Sequence, residues 1–352
     1  RPDPLTEKKI SEHLSHSPGI PITLFKDLSV YELSRLKELV PRIEGMEITC
    51  VPVRTYPFGS LAMHVLGYTR MADPAKEADR GEYNYYVSDP FGASGIEKIC
   101  NDDLRGSPGR ELVMVNSAGF VCEQLETPVP AANGHNVHLT LDLNAQMIAE
   151  KLLRNRIGSI VVLDVRTGAV IAMASSPGYS AEDFKSRDRF RKLLESRDTP
   201  FMNRATTGVY MPGSVIKPLC GLAALENGGS ADDPVNCTGR TRFGYGRGIK
   251  CNSRWGHGEM DLRHALKKSC NVYFVENAVR IGIDALSAMY ASAGIGSPTG
   301  IEIAERHGLL PGNGPKWNTS ETAYVGFGQG KLLVTPLQVA SYFAALANSG
   351  TL

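Results

Sequence analysis

Tyr210-Met-Pro-Gly-Ser-Val-Ile-Lys-Pro-Leu219 decides how this chain is read. Pro212-Gly213 marks a turn. Leu219, Leu222, Ala223 and Leu225 follow at helical spacing, and Asn227-Gly228-Gly229 ends the run. Pro218 fits a first helical turn, where a missing N–H costs little. Ser214 therefore stands where a loop runs into a buried helix, three residues ahead of Lys217. Residues i and i+3 of a helix share a face, so the hydroxyl and the amine can meet. A serine is a poor nucleophile until a base removes its proton, and a desolvated lysine is such a base. Backbone N–H groups at the start of a helix are unpaired and can stabilise an oxyanion.

The same spacing recurs at Ser34-Arg35-Leu36-Lys37, inside a polar, Leu-spaced helical stretch. There it reads as a solvated helix face. A second feature separates Ser214 from that copy. Asp261 can cap a helix through Leu262, Ala265 and Leu266, which leads into Lys268-Ser269-Cys270-Asn271 and then another helical run to Gly282. Ser269 and Asn271 thus fall in a tight helix–helix connection. In an extended triplet the first and third side chains point one way and the middle one the other. Ser269 and Asn271 are expected to face one cleft, with Cys270 turned away. A serine there can relay a proton, and an amide can hold a substrate carbonyl and the lysine.

Composition narrows the classes. The chain has 352 residues, enough for two or three domains, with 42% apolar and 21% charged residues. A formal net charge of +1 gives no basic footprint for nucleic acid. No stretch of eighteen apolar residues occurs, and no signal peptide is visible. The start, Arg1-Pro-Asp-Pro-Leu5, reads as the interior of a longer protein. Seven cysteines, an odd number and mostly isolated, argue against a disulfide framework. Cys50, Cys100, Cys122 and Cys220 read as buried thiols.

Helical patterns cover Thr6–His16 and Ser29–Val40, and a strand-like run covers Met46–Val53. Residues 57–135 are rich in Gly, Pro, Asp and Asn, as a loop-rich β-containing module would be. From Asn136 the texture changes. Val137–Leu141 alternates like a strand and Asn144–Arg154 is helical. Ser159–Asp164 and Ala169–Ala174 flank a Gly-bearing turn and read as a hairpin covered on both faces. Helices are expected over 214–227, 261–268, 272–281 and 336–347. The fold class is α/β in the α+β sense, with an antiparallel sheet between helical layers.

These motifs resemble those of the class B penicillin-binding proteins, D,D-transpeptidases of bacterial cell-wall synthesis, in which the Ser-x-x-Lys spacing recurs. Arg54–Tyr68, Gly92-Ala-Ser-Gly-Ile-Glu97 and Leu104-Arg-Gly106 are similar to the family's pedestal. Asp164–Pro177 is similar to its first transpeptidase hairpin, and Gly326-Phe-Gly-Gln-Gly330 with Thr335-Pro-Leu-Gln338 to the segment ahead of its last motif. The elongation-type penicillin-binding proteins 2 are the nearest subfamily. The resemblance implies a pedestal (dimerisation-like) domain over 1–135 and a penicillin-binding-protein/β-lactamase-like transpeptidase domain over 136–352. Ser214 would attack the penultimate D-Ala of a stem peptide with help from Lys217. Ser269 would pass a proton to the leaving amine, and Asn271 would bind the acyl chain. No cofactor is implied for catalysis. β-Lactams would acylate Ser214. A membrane glycosyltransferase of the SEDS family would be the partner, on the periplasmic side of the bacterial inner membrane, with the anchor outside this chain. The family's third motif, Lys-Ser/Thr-Gly, is absent. Arg166-Thr167-Gly168 imitates it but sits in a hairpin turn, so truncation before that motif is expected. Two other functions share the nucleophile: a non-catalytic activator of a polymerase, and a β-lactamase or β-lactam sensor. The roughly 135 residues before the transpeptidase domain argue against a simple β-lactamase.

Cys237, Cys251, His257 and Cys270 lie between or beside the two catalytic motifs. Three thiols and an imidazole are a standard structural zinc set. The segment from Cys237 to His257 is rich in Gly and Arg and cannot fold by burying a core, so a metal would supply the missing stability. The resemblance agrees, since some penicillin-binding proteins 2 carry zinc here. A Cys237–Cys251 disulfide and free thiols remain the alternatives. Trp255, beside this segment, reads as a packing residue.

Overall fold

The computed structural model describes residues 6–16, 22–40, 43, 46, 48, 53–71, 90–107, 109–116, 121–241, 248–312, 314–315 and 317–351. Along the chain come α1 (Glu7–His16), α2 (Val30–Leu39), α3 (Met63–Leu66), β1 (Thr69–Met71), β2 (Pro90–Gly92), α4 (Gly95–Ile99), α5 (Asn101–Arg105), β3 (Val113–Val115) and β4 (Val121–Gln124). Then follow α6 (Leu143–Leu152), β5 (Gly158–Leu163), β6 (Val170–Ser176), α7 (Arg187–Glu195), a 3-10 turn (Gly213–Ile216) and α8 (Lys217–Glu226). The rest comprises β7 (Val235–Cys237), β8 (Arg240–Thr241), β9 (Ile249–Lys250), β10 (Gly258–Met260), α9 (Leu262–Lys268), α10 (Asn271–Ser292), α11 (Thr319–Val325) and α12 (Pro336–Ala347). Contacts divide the chain into two units: Arg1–Pro57 with Tyr68–Val137, and Phe58–Gly67 with His138–Leu352. No described helix is long and apolar enough to cross a membrane.

The first unit is built from short pieces, β1–β2 and β3–β4 being antiparallel pairs. Its Gly92–Glu97 segment is close-packed: a Cβ on Gly92 would lie 1.7 Å from the Glu97 carbonyl oxygen. Glu97 is only 8% exposed. Its carboxylate receives Arg54 Nε at 2.9 Å and Tyr56 OH at 3.2 Å, so the buried charge is paired. Burial, with the Glu97 charge beside it, pushes the Tyr56 phenol up to about 12. The Ser34–Lys37 copy lies on α2, with Ser34 and Lys37 exposed and Ser34 Oγ turned back to the Val30 carbonyl at 2.9 Å. It has no chemistry to share. Most of the expected Met46–Val53 strand lies outside the described residues.

In the second unit β5 and β6 pair antiparallel, Gly158 against Ser176 through Leu163 against Val170. α6 packs on β6 and α12 on β5, so the hairpin sits between helices. Gln146 on α6 gives its Nε2 to Met173 O and takes Met173 N–H on its Oε1, at 2.9 and 2.8 Å. A side-chain amide thus completes the β6 ladder. Coverage of both strands was expected. It holds for β6, whereas β5 is only half-buried, with Val162 41% exposed. The strand expected over Val137–Leu141 does not form. Among the described residues, Thr140 Oγ1 to Val170 O within it and Asp142 N–H to Ile171 O just after it tie this stretch to β6.

The main core joins α8 to α10 through Ile216, Leu219, Cys220, Ala223, Phe274, Ala278 and Leu286. Each large side chain buried there is worth about 1.5–3 kcal/mol. α10 runs on past the expected stop at Gly282, which does break the helical dihedrals (φ 84°, ψ 171°), and a second helical stretch continues from it. Of the cysteines expected to be buried, Cys220 is, Cys100 is half-buried and Cys122 is exposed; Cys50 lies outside the described residues. Cys122 fails because β4 is a strand of a loop-rich unit without a deep core. Trp255 is 87% exposed and lies against Arg254, not in a core of the described residues.

Candidate active site

The nucleophile's turn follows from Pro218. In an α-helix the Ser214 carbonyl would accept the N–H of residue 218, which proline lacks. It accepts the N–H of Lys217 instead, and the chain takes a 3-10 turn over Gly213–Ile216 before α8 begins. Side chains at i and i+3 eclipse in a 3-10 turn, which sets Ser214 over Lys217. Ser214 is exposed while Lys217 beneath it is 1% exposed. Gly213 N–H bonds the Gly328 carbonyl at 2.8 Å. Only glycine fits at 328, since φ is +81° and a Cβ would come 2.1 Å from the Gly213 oxygen. The Gly326–Gly330 segment thereby holds the turn from outside.

Ser269 and Asn271 arrive by a different route from the one expected. The triplet is not extended. Ser269 takes the left-handed conformation (φ 51°, ψ 44°) that closes α9, and Asn271 is the first residue of α10. A non-glycine residue held there stores strain, which the surrounding bonds sustain. These include Ser269 N–H to Leu266 O at 3.1 Å and Cys270 N–H to Ala265 O at 2.9 Å. The outcome matches the expectation: Ser269 and Asn271 meet Lys217, while Cys270 is buried beneath.

Lys217 Nζ donates to Ser269 O at 2.7 Å, Asn271 Oδ1 at 2.8 Å and Ser269 Oγ at 2.9 Å, which uses all three ammonium protons. Ser269 Oγ donates in turn to Ser214 Oγ at 2.9 Å. The lysine therefore reaches Ser214 through the Ser269 hydroxyl rather than directly. Burial lowers Lys217 to about 8, partly opposed by the thiols of Cys251, Cys270 and Cys220. Roughly one lysine in ten is then a neutral amine at pH 7. Asn271 Nδ2 donates to Lys250 O at 3.1 Å, which fixes the amide so that its oxygen faces the lysine. One Nδ2 proton is left for a substrate carbonyl.

Cys237, Cys251, His257 and Cys270 converge, their ligand atoms all within 4.8 Å of one another. His257 Nδ1 lies 3.6 Å from Cys237 Sγ and 3.5 Å from Cys251 Sγ, and Cys251 Sγ lies 3.9 Å from Cys270 Sγ. A tetrahedral zinc with ordinary bond lengths needs S···S of about 3.8 Å and S···N of about 3.6 Å, and these three separations match it. The thiols of Cys237 and Cys251 are not joined to each other. The β7–β10 pair carries Cys237 and leads to His257, β9 leads to Cys251, and Cys270 precedes α10. Burial raises the Cys251 thiol, but backbone N–H groups of Ser253, Val272 and Asn271 outweigh it and hold the thiol low.

Two residues that shape the site were not singled out from the sequence. Tyr342 on α12 donates its hydroxyl to the Val215 carbonyl, next to the nucleophile. A buried tyrosine needs a partner for its hydroxyl, and that is the only sign the sequence offers. Lys250 acts through its backbone and leaves no sequence sign. Arg166-Thr167-Gly168 sits in the β5–β6 turn, with Arg166 bonded to Asp164.

Residues 158–352 match the model of the penicillin binding protein transpeptidase domain, and residues 3–139 that of the penicillin-binding protein dimerisation domain. The chain belongs to the penicillin-binding protein transpeptidase family. It is 35% identical over 349 residues to the peptidoglycan D,D-transpeptidase MrdA of Escherichia coli K12, covering 92% of this chain and 54% of that protein. MrdA of Haemophilus influenzae is 34% identical, with 94% and 53% covered. The chain thus spans about half the length of the curated relatives it matches. Among solved structures, penicillin-binding protein 2 of Helicobacter pylori in complex with MreC superposes with a TM-score of 0.82 at 28% identity, covering 99% of this chain and 71% of that one. Pseudomonas aeruginosa PBP2 in complex with WCK 5153 gives 0.72 at 31%, covering 86% and 66%.

Proposed function

We propose that the chain is a peptidoglycan D,D-transpeptidase that works through an acyl-Ser214 intermediate. The observation that carries this reading is the continuous hydrogen-bond path Ser214–Ser269–Lys217, with Asn271 on the same amine. With Lys217 neutral, the Ser214 proton passes to Ser269 Oγ as the Ser269 proton passes to Nζ, and Ser214 Oγ bonds to the penultimate D-Ala carbonyl carbon. The Ser214 N–H, in a first turn without an intrahelical acceptor, is placed to bind the oxyanion. Collapse breaks the peptide C–N bond, and the same path returns a proton to the departing D-Ala amine. The Asn271 amide proton holds the acyl peptide. An amine of a neighbouring stem peptide then attacks the ester, releases Ser214 and completes the cross-link. A β-lactam follows the first step, but its leaving amine stays attached, so the ester persists.

Zinc fits the Cys237, Cys251, His257 and Cys270 set, and there it would supply structural cross-linking of a segment without a core. The modules proposed are 1–135 and 136–352, while contacts join Phe58–Gly67 to the second and put the change after Val137. The setting is the extracytoplasmic face of the inner membrane. A SEDS-family glycosyltransferase supplies the strand to be cross-linked, and a scaffold like the MreC of the Helicobacter pylori complex is a further partner.

Labelled penicillin tests the reading on the intact protein. A stable adduct on Ser214, lost in Ser214→Ala, is expected. No adduct would favour the non-catalytic activator, and rapid hydrolysis of the drug would favour a β-lactamase.

A further inference from the structure

Three consecutive backbone groups of the nucleophile's turn each have a partner. Gly213 N–H is held by Gly328 O, Ser214 O by Lys217 N–H, and Val215 O by the Tyr342 hydroxyl. The middle bond exists because residue 218 has no N–H to offer. With any other residue at 218, the Ser214 carbonyl has a choice. An α-helical bond to residue 218 would rotate i+3 by about 60° from the eclipsed position and shorten the rise per residue from about 2.0 to 1.5 Å. Lys217 Nζ is fixed by three acceptors on the Ser269–Asn271 loop, so Ser214 would be the member that moves. Its Oγ would leave the 2.9 Å contact with Ser269 Oγ, the one link between nucleophile and base. Tyr342 restrains the next carbonyl. Its ring is buried in the core, and burial raises the phenol far above neutrality, so the hydroxyl stays a donor.

Resting on the acyl-serine reading above, we propose that Pro218 and Tyr342 are positioning residues for acylation. Pro218 denies the Ser214 carbonyl an α-helical partner and so enforces the eclipsed 3-10 turn. Tyr342 occupies the Val215 carbonyl and locks the same turn from α12. The proton path runs through Ser214, Ser269 and Lys217 without either of them.

The test uses the intact protein and a fluorescent penicillin over a concentration series, which separates the dissociation constant of the non-covalent complex from the acylation rate constant. Pro218→Ala and Pro218→Ser both restore the N–H with different side chains, and Tyr342→Phe removes one oxygen. Misplacing a reacting atom by about 1 Å costs on the order of 100-fold, so each variant should acylate about 10- to 100-fold more slowly. The non-covalent dissociation constant should stay at the wild-type value, with the adduct still on Ser214 by peptide mass. The rate is counted per site labelled at saturation, so a variant with a lower melting temperature is still measured on its folded fraction. A purely structural role would lower that fraction and leave the rate per site unchanged. Wild-type rates per site in both Pro218 variants and in Tyr342→Phe would overturn the inference while leaving the acyl-serine reading intact. A wild-type protein that forms no adduct overturns that reading, and the inference with it.

Discussion

On the proposed acyl-serine reading, Lys217 sets the pH at which Ser214 can react. Burial holds its amine at about 8 against an ordinary value near 10.5, so the neutral form grows tenfold per pH unit up to 8 and levels off above. Acylation by penicillin is expected to rise between pH 6 and 8 and to flatten beyond, and a rate independent of pH over that range would exclude Lys217 as the base. The same depression affects stability. The unfolded lysine binds its proton below about 10.5 and the folded one only below about 8, so this group costs stability in full below 8 and the cost fades as pH rises to 10.5. Lys217→Arg keeps the charge but cannot give up a proton, and should slow acylation by about 100- to 10,000-fold. Asn271→Asp would set a carboxylate at the 2.8 Å contact and favour the ammonium. The rise in its pH–rate profile should move up by about one unit, and an unmoved profile would separate Asn271 from the lysine. At this scale Ser214 and Lys217 were legible because their spacing puts them on one face and their place at a helix entry sets them apart from the copy at Ser34. A proton relay by Ser269 was expected, but not that Lys217 would reach Ser214 only through it, because that depends on a left-handed backbone at a serine, which no residue type announces.

Whole elements explain why the site is rigid. α8 and α10 are fixed by shared apolar burial, and their helical periodicity made both readable. The Gly326–Gly330 segment was readable only by resemblance, since its role is a close backbone approach. Gly328→Ala would force a Cβ to within 2.1 Å of the Gly213 oxygen. Such strain costs about 1–3 kcal/mol, and it falls on the nucleophile's turn. Penicillin acylation should therefore drop in Gly328→Ala more than thermal stability does, as kinetics beside a melting curve would record. The Cys237–His257 segment shows the opposite case. Its low apolar content and its two thiols and one imidazole were plain in the sequence, whereas convergence with Cys270 required the fold. Metal analysis should find about one zinc per chain, and stripping it with a strong chelator should lower the melting temperature. A metal-free protein with Cys237 bonded to Cys251, two mass units lighter than the thiol form, would end the zinc reading.

At the scale of the molecule, local pattern gave the change of texture near residue 136 but not the excursion of Phe58–Gly67 into the second unit. That excursion rests on contacts far apart in sequence, which periodicity cannot encode. Ala62 N–H reaches Glu150 at 2.6 Å, the Met63 carbonyl receives Tyr179 OH at 3.1 Å, and His64 Nε2 lies 2.7 Å from Pro200 O. The strand-like alternation of Val137–Leu141 misled for the complementary reason: a strand needs a partner, and this one finds only side-chain and single-bond ties. The two units differ in what they contribute to chemistry. Ser214, Lys217, Ser269, Asn271, Tyr342 and the four candidate metal-ligating side chains all belong to the second. The first is held by its own close contacts, of which Gly92 against the Glu97 carbonyl is the tightest of its glycine contacts. Gly92→Ala cannot be accommodated without moving α4 and buried Glu97 with its Arg54 partner, so it should unfold the first unit locally. Distant sites without shared partners act independently. Limited proteolysis of Gly92→Ala should therefore cut within residues 68–137 while penicillin still labels Ser214 at close to the wild-type rate. Loss of labelling together with the cuts would mean that the acyl site depends on the first unit, and that the chemistry is not the property of the second unit alone.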